Sequence, residues 1–183
     1  AERWEVGTML EPSDGITSRR RHGGFLVGVE SFANNTFGVS CAEAAVMDPQ
    51  QRLLLEHGYN ALHSGQMRRA ALQDSLTAVF VGITFLVFEE TLLSSPHGGS
   101  VFAATGSGHS IASGRLSYVL GTHGPCLSIE TACSAALAAC HSASTTLRCI
   151  ECCRALAVGV NLMLSPVIAG RFGKAGMTSP RGR

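Results

Sequence analysis

One cysteine stands at a place in the sequence where covalent chemistry is possible. The apolar residues Leu127 and Ile129 predict a short strand, and the chain then passes through Thr131 and Ala132 into an Ala-, Ser- and Leu-rich stretch that predicts a helix. Cys133 lies at this junction, so we expect it in the first turn of the helix. Unpaired backbone N–H groups and the positive end of the helix dipole favour the thiolate there, and the same amides can bind an oxyanion formed when the sulfur attacks a carbonyl. The pattern therefore predicts a nucleophile and an oxyanion site within one turn.

The helix that follows Cys133 carries small residues on nearly every face. Its members are Ala135, Ala136, Leu137, Ala138, Ala139 and Ala143. This composition predicts a helix buried among close neighbours, which would place the cysteine rigidly and shield it from water. The alternative is that Cys133 is simply a small buried apolar residue, as most free cysteines are.

Composition and charge restrict the class of protein. With 183 residues, 45% hydrophobic and 15% charged, the chain is predicted to form one domain with its own core. A formal net charge of +1 gives no sign of a nucleic-acid surface, and the run from Arg19 to His22 is interpreted as a solvated turn. The sequence contains no apolar stretch of the roughly 18 residues that a membrane span needs. It also has no leader, although its start is expected to be internal.

The cysteines predict a reduced, intracellular setting, most simply the cytoplasm, because seven is an odd number and nothing indicates secretion. Cys149 and Cys152 form a C-x-x-C spacing that could be half of a zinc site, with Cys140 and His141 as further ligands. No second pair lies at a suitable distance. We therefore favour the end of a helix followed by a buried strand, and we expect no metal.

The order of elements predicts the fold class. Residues 77–83 predict a strand buried on both faces, and residues 155–164 predict another. A helix is predicted from Pro49, with Asp48 as its N-cap and Gln51 at the capping-box position, to a stop at Gly65. A further helix is expected at 110–120, closed by Gly121. Strands and helices that alternate in this way predict an α/β fold with a mostly parallel sheet.

Several sequence motifs, taken together, resemble the β-ketoacyl synthases, the condensing enzymes of polyketide and fatty-acid synthesis. The stretch Glu130-Thr131-Ala132-Cys133-Ser134-Ala135-Ala136-Leu137 is similar to the active-site stretch of that family. Further similar segments, in the family's order, are Arg3–Val6, Arg21–Leu26, Phe37–Ser40, Met47–Glu56, Val79–Gly82, Ala103–Gly106, Gly114–Tyr118, Gly124-Pro125, Gly159–Pro166 and Ser179-Pro180. The resemblance is to the modular, type I polyketide kind and extends over nearly the whole chain.

The resemblance implies a fold and an extent. The fold is the thiolase-like one, a layered α-β-α-β-α arrangement, of which residues 1–183 would form most of the N-terminal half, with a mostly parallel sheet and a buried central helix starting at Cys133. The first strand and helix and the C-terminal half of the domain are expected to lie outside this sequence. The domain is expected to form a homodimer and to bind no cofactor of its own.

The resemblance also implies a reaction. Cys133 would accept an acyl group from the phosphopantetheine arm of an acyl carrier protein, and the thioester would then undergo decarboxylative Claisen condensation with a malonyl-type extender. The family's two enolate-stabilising histidines lie in His-Gly-Thr and Asn-x-Gly-His motifs, neither of which occurs in residues 1–183. None of the seven histidines present takes over those roles, so the fragment alone is expected to be inactive. The motifs favour a polyketide over a fatty-acid product.

Two alternatives remain from the sequence. A thiolase or acyltransferase could use the same cysteine, but the run Asp48–Glu56 argues against this. A catalytically silent, truncated ketosynthase module with only an assembly role is the second alternative. The intact Cys133 argues against relatives that only decarboxylate or set chain length, and Ala135-Ala136 in place of the family's two serines preserves small volume.

Overall fold

The computed structural model describes residues 23–84, 87–179 and 181. The similar segment Arg3–Val6 and the run Arg19–His22 lie outside the described residues. The described residues fall into two units, one of residues 30–162 and a smaller one of residues 23–29 with 163–181. The helices are α1 (Cys41–Val46), α2 (Pro49–Ser64), α3 (Arg69–Leu72), α4 (Val87–Leu93), α5 (Ala103–Ser107), α6 (His109–Leu120), α7 (Ala135–Arg148) and α8 (Pro166–Lys174).

The larger unit is built on a parallel sheet, as the sequence predicts. Its described strands are β1 (Thr77–Ile83), β2 (Cys126–Ile129) and β3 (Arg154–Val160), in the spatial order β2-β1-β3. Both neighbours run parallel to β1, and Val79 pairs with Cys126 on one side and Leu156 on the other. All three strands therefore end at the same edge of the sheet.

Strand β1 lies at the centre and is buried on both faces. Val79, Val81 and Ile83 belong to one apolar cluster, together with leucines of α2 and α6. Ala78 and Phe80 alternate with them and pack in a second cluster with Ala139 and Ala143 of α7. The sheet is thus covered by α2 and α6 on one face and by α7 on the other. Its limits at Thr77 and Ile83 confirm the predicted strand.

Helix α2 begins and ends where the sequence predicts, but one capping contact differs. Asp48 is the N-cap, and its Oδ1 accepts a hydrogen bond from the Gln50 amide at 2.8 Å. The side chain of Gln51 does not close a capping box. Its Nε2 donates to Thr105 O at 3.3 Å and its Oε1 accepts from Arg115 Nε at 2.8 Å. Gln51 therefore joins α2 to α5 and α6, a long-range role that local spacing could not reveal.

Helix α7 differs from expectation in two ways. It begins at Ala135 rather than at the cysteine, and only one face is buried, by Ala135, Ala139, Ala143 and Thr146. On the opposite face Leu137 is 73% exposed. The expectation of burial on nearly every face is therefore met on the sheet side only, because the described residues supply a neighbouring layer on that side alone. Strand β3 is likewise shorter than the predicted 155–164.

The C-terminus of α7 carries a branched residue in a left-handed conformation. Ile150 has φ 60° and is 89% exposed. Its amide donates to Leu147 O at 3.2 Å, and the Glu151 amide donates to Thr146 O at 3.1 Å, which is the Schellman pattern that usually has glycine at the position of Ile150. A β-branched side chain is strained at this φ.

Ile150→Gly should therefore stabilise the end of α7 by about 1 kcal/mol, because it removes strain while leaving both hydrogen bonds in place. Hydrogen exchange of the amides that close the last turn, converted to opening free energies, measures this. Ile150→Ala is the matched control, since it removes the exposed side chain but keeps a Cβ at positive φ. Faster exchange in Ile150→Gly than in Ile150→Ala would contradict the assignment.

The smaller unit contains helix α8. Ser165 is its N-cap, with Oγ accepting from the Val167 amide at 3.3 Å, and Pro166 occupies the first turn. Proline is favoured there because its missing N–H would have no helical partner. Among the residues that the structure describes, no helix is both long enough and apolar enough to cross a membrane.

Candidate active site

Cys133 lies in a tight turn between β2 and α7. The turn is a 3₁₀ segment, Ala132–Ser134, and Glu130 and Thr131 separate it from the end of β2. The sulfur therefore precedes the first residue of the α-helix by two positions, which corrects the predicted place in the first α-helical turn. The physical reason is that the chain must reverse from the strand before it can start an α-helix. Cys133 is exposed rather than packed in the core.

Side-chain oxygens hold the turn that carries Cys133. The Oγ of Ser134 lies 2.7 Å from Thr131 O and 2.9 Å from Thr131 Oγ1. Thr84, the residue after β1, donates from Oγ1 to Ala132 O at 3.4 Å and is itself buried. These contacts fix the turn to itself and to the end of the central strand, which places the cysteine relative to the sheet.

The reversal of the backbone occurs at Ala132, whose φ is 51°. Residues with a Cβ rarely adopt this left-handed conformation, and a residue held in it costs about 1–3 kcal/mol. Such conformations persist only where surrounding contacts compensate for them, and they are concentrated at functional sites. The strain at Ala132 thus lies directly beside the candidate nucleophile.

Two glycines allow the start of α7 to lie directly against the sheet. A Cβ added at Gly82 would come within 2.5 Å of Ala135 C and 2.6 Å of Ala136 N. A Cβ added at Gly159 would come within 2.6 Å of the Ala136 Cβ. Gly82 and Gly159 pair across β1 and β3, so together they form a flat platform beneath the first turn of α7. We call these two residues the glycine platform.

The site lies at the carboxyl edge of the parallel sheet. The turn follows the last residue of β2, and the glycine platform is one residue from the ends of β1 and β3. In open α/β sheets ligands bind beyond this edge. An exposed cysteine on a turn that leads directly into a helix can attack a carbonyl carbon, and the N–H groups at the start of a helix are suitable donors to the resulting oxyanion.

The other cysteines occupy different environments. Cys152 is buried and Cys126 is half-buried, while Cys41, Cys140, Cys149 and Cys153 are exposed. The two members of the C-x-x-C spacing thus differ, with Cys149 outside and Cys152 in the apolar cluster under α7. In the part of the chain that the structure describes, no three His, Cys, Asp or Glu side chains are arranged to hold a metal ion.

A histidine that the sequence patterns do not identify as part of the site lies near the turn. His109 is the first residue of α6, and its Nδ1 lies 3.4 Å from Oε2 of Glu130, which precedes the Cys133 turn. The side chain of His109 is only 19% exposed. Periodicity gives no sign of this pair, since the two residues come from different elements.

Arg115, from the motif Gly114–Tyr118, makes contacts that hold helices together. Its guanidinium forms an ion pair with Glu43 and donates to Gln51 Oε1 and to Thr105 O. A concavity of about 250 Å³ lies beside it, and the residues lining it include none from the Cys133 turn. Arg115 therefore connects α1, α2 and α5 to α6 rather than facing the sulfur.

Burial determines the electrostatics of the N-cap of α2. Desolvation raises the pKa of Asp48 above its ordinary value of 3.8, although hydrogen bonds from Gln50 and the charges of His109 and Arg52 act in the opposite direction. Burial also lowers the pKa of Arg52, whose Nε and Nη2 donate to Met47 O at 3.0 and 2.8 Å. The folded state consequently holds the Asp48 proton more tightly than the unfolded state does.

Asp48→Asn should make α2 relatively more stable as the pH rises. The favourable contribution of protonated Asp48 is complete below pH 3.8 and is lost as the pH rises through the raised pKa, whereas asparagine keeps the cap oxygen without ionising. Opening free energies from hydrogen exchange in α2, measured at several pH values from 4 to 7, test this. A variant-minus-parent difference that decreases with rising pH would contradict it.

The residues that fix the turn were not recognisable as functional from the sequence, but some carry a signal. Gly82 and Gly159 each interrupt a strand of otherwise larger residues, and glycine within a strand marks a close approach of another backbone. Thr84 and Ser134 carry no comparable signal, because their partners depend on the tertiary fold.

Comparison with known proteins decides the family. The profile of the β-ketoacyl synthase N-terminal domain matches residues 1–183. The chain belongs to the β-ketoacyl synthase family. This ketosynthase chain is 39% identical over 186 residues to a phenolphthiocerol/phthiocerol polyketide synthase of Mycobacterium tuberculosis, covering 100% of the chain and 12% of that protein. It is 44% identical over 155 residues to a highly reducing polyketide synthase of Penicillium decumbens, covering 85% of the chain and 5% of that protein.

A solved ketosynthase confirms the predicted fold. The ketosynthase from module 6 of the bacillaene synthase of Bacillus subtilis 168 superposes with a TM-score of 0.82 at 31% identity, covering 98% of this chain and 29% of that one. The ketosynthase chain thus has the thiolase-like α/β fold and is of the polyketide synthase type. It spans only a small part of the length of these relatives.

Proposed function

We propose that the ketosynthase chain supplies the acyl-acceptor half of a condensing enzyme for polyketide synthesis, with Cys133 as the nucleophile. The observation that carries the proposal is the exposure of Cys133 on a turn fixed by Thr84, Thr131 and Ser134 at the carboxyl edge of the sheet. A cysteine that served only to pack the core would be covered, as Cys152 is.

The first step is an acyl transfer. The Cys133 thiolate attacks the carbonyl carbon of an acyl thioester on the phosphopantetheine arm of an acyl carrier protein. The new carbon–sulfur bond to Cys133 forms, the bond to the pantetheine sulfur breaks, and the carrier leaves as a thiol after taking up a proton. The Cys133 backbone N–H is the proposed donor to the oxyanion of the intermediate.

The second step is a decarboxylative Claisen condensation. A malonyl-type extender on the carrier protein loses carbon dioxide, and the resulting enolate carbon attacks the acyl-Cys133 carbonyl. A carbon–carbon bond forms and the Cys133 thiolate is released. The groups that stabilise the enolate are proposed to lie in a C-terminal half outside residues 1–183, since the two histidine motifs of the family are not in this sequence. The domain is proposed to need no cofactor of its own.

The domain is also proposed to pair with a second copy of itself. Among the described strands β2 pairs with β1 on one side only, and Leu127 on β2 is 53% exposed. An edge strand with free backbone groups and an exposed apolar side chain is suited to strand pairing between chains. Sedimentation of the complete protein as a monomer at all concentrations would contradict the homodimer.

The test is a complete turnover. The complete protein, given an acyl-loaded and a malonyl-loaded acyl carrier protein, should release carbon dioxide and form a 3-oxoacyl product, and Cys133→Ala should form none. Cys140→Ala, which changes an exposed cysteine on α7, is the matched control and should keep activity. A parent protein that forms no product but still assembles normally would support the silent-module alternative instead.

A further inference from the structure

Two polar contacts connect α6 to β2 and to Glu130, which follows β2 and precedes the turn that carries Cys133. One contact joins Ser113 to Ser128, with the Ser113 amide donating to Ser128 Oγ at 3.2 Å and the two hydroxyls 2.9 Å apart. The other joins His109 to Glu130, with Nδ1 and Oε2 3.4 Å apart. Glu130 and Thr131 lie between the end of β2 and the turn Ala132–Ser134.

The spacing of residues on α6 and along β2 explains why these two contacts lie in line. Four residues of an α-helix and two residues of a strand both advance the chain by about 6 to 7 Å. His109 and Ser113 are four apart on α6, while Glu130 and Ser128 are two apart in the opposite direction. Both side chains of the helix therefore meet partners on the same line, and the His109 contact is placed at the end nearest Cys133.

The His109 ring lies beside the Glu130 carboxylate and interacts electrostatically with Asp48. Its Nε2 is fully buried and has no hydrogen-bond partner among the described residues, whereas its Nδ1 faces Glu130. Asp48 is 1% exposed, and a charge on His109 lowers the pKa of that carboxyl. His109 thus has one ring nitrogen enclosed by protein and the other beside a half-exposed carboxylate, so the ring is a partly buried polar partner of Glu130.

We propose that His109 is a positioning residue, which orients Glu130 and so fixes the Cys133 turn for attack on a thioester. The inference rests on the proposed function and adds to it a residue outside the active-site stretch. His109 does not touch the sulfur in this arrangement. It acts through Glu130, while Ser134 and Thr84 hold the next two residues, Thr131 and Ala132.

Two reagents separate positioning from simple accessibility. Iodoacetamide needs only an exposed thiolate, whereas an acyl-N-acetylcysteamine thioester also needs the sulfur and the amide donors to be correctly arranged. Both reactions are measured at Cys133 by peptide mass spectrometry in the complete protein. The exposed Cys140 and Cys149 in the same molecule are internal references for general loosening.

The variants of His109 remove both ring nitrogens or keep an equivalent of only one of them. His109→Leu should slow thioester acylation of Cys133 by about two- to fivefold, the effect of losing one partly exposed polar contact, and leave its alkylation unchanged. His109→Asn, whose Nδ2 replaces Nδ1, should retain the parent rate. His109→Gln, whose Nε2 replaces the buried nitrogen, should resemble His109→Leu. Combining His109→Leu with Glu130→Ala should add nothing beyond either single change, because both remove the same contact.

The control is the second histidine–carboxylate pair. His123 lies 3.1 Å from Asp74 and is 65% exposed, so His123→Gln should change neither rate. Parent-like thioester acylation in His109→Leu, or a parallel change in alkylation of Cys133, Cys140 and Cys149, would overturn the positioning role. A parent protein that is alkylated but never acylated at Cys133 would overturn the proposed function and this inference with it.

Discussion

Gly82→Ala should reduce the rate of acyl transfer to Cys133 by about 100-fold or more. The new methyl group would lie 2.5 Å from Ala135 C and 2.6 Å from Ala136 N, which are backbone atoms and cannot rotate away. The first turn of α7 must therefore move off the sheet by about 1 Å, and a displacement of this size costs roughly 100-fold in a reaction that depends on alignment. The measurement is thioester acylation of Cys133 in the complete protein.

A paired experiment distinguishes displacement of α7 from general damage to the sheet. Gly159→Ala should also slow acylation, because its methyl group would meet the Ala136 Cβ at 2.6 Å. Here the obstacle is a side-chain atom, so Gly159→Ala combined with Ala136→Gly should recover most of the rate, whereas Ala136→Gly should not rescue Gly82→Ala. Gly99→Ala, where a Cβ would meet nothing within 4 Å, is the neutral control. Acylation by Gly82→Ala within a few-fold of the parent rate would show that the glycine platform does not place the cysteine.

Gly106→Ala should destabilise the packing of α5 on the junction of α1 and α2 by about 2–4 kcal/mol. Its methyl group would lie 2.1 Å from Val46 O and 3.0 Å from Val46 C. Separating these segments would also break the hydrogen bond from the Asp48 amide to Gly106 O, which measures 2.8 Å. Overpacking costs about 1–3 kcal/mol and a lost backbone hydrogen bond about 1 kcal/mol more.

Hydrogen exchange of the Asp48 amide in the complete protein reports this change directly, because that amide donates across the contact. The matched control is Gly114→Ala in α6. A Cβ there would meet nothing within 4 Å, and alanine should stabilise the helix by about 0.5–1 kcal/mol. Parent-like protection of the Asp48 amide in Gly106→Ala would contradict the close approach at Gly106.

Local signals in the sequence were sufficient for the main elements. The β-branched run of β1 predicts its limits, since a strand buried on both faces must be apolar throughout. Asp48 and Pro49 predict the start of α2 because capping chemistry depends on neighbouring residues alone. The resemblance in the stretch around Cys133 predicted the family, and the family profile confirmed it.

Contacts between distant residues explain what the sequence could not show. The 3₁₀ turn before α7 depends on Ala132 at positive φ, and Thr84, 48 residues away, compensates for it through one hydrogen bond. Gln51 looked like a capping residue because local spacing cannot show that Arg115 and Thr105 lie beside it. The small residues of α7 suit burial on every face, but composition does not reveal on which side a neighbouring layer lies.

The residue on which an acyl group is held is the most direct test of Cys133 as the acceptor. Peptide mass spectrometry of the complete protein after brief exposure to an acyl thioester should find the acyl mass on the peptide that contains Cys133, and this adduct should disappear in Cys133→Ala while Cys140→Ala retains it. An acyl adduct on another residue, or total labelling undiminished in Cys133→Ala, would contradict the assignment of Cys133 as the acceptor.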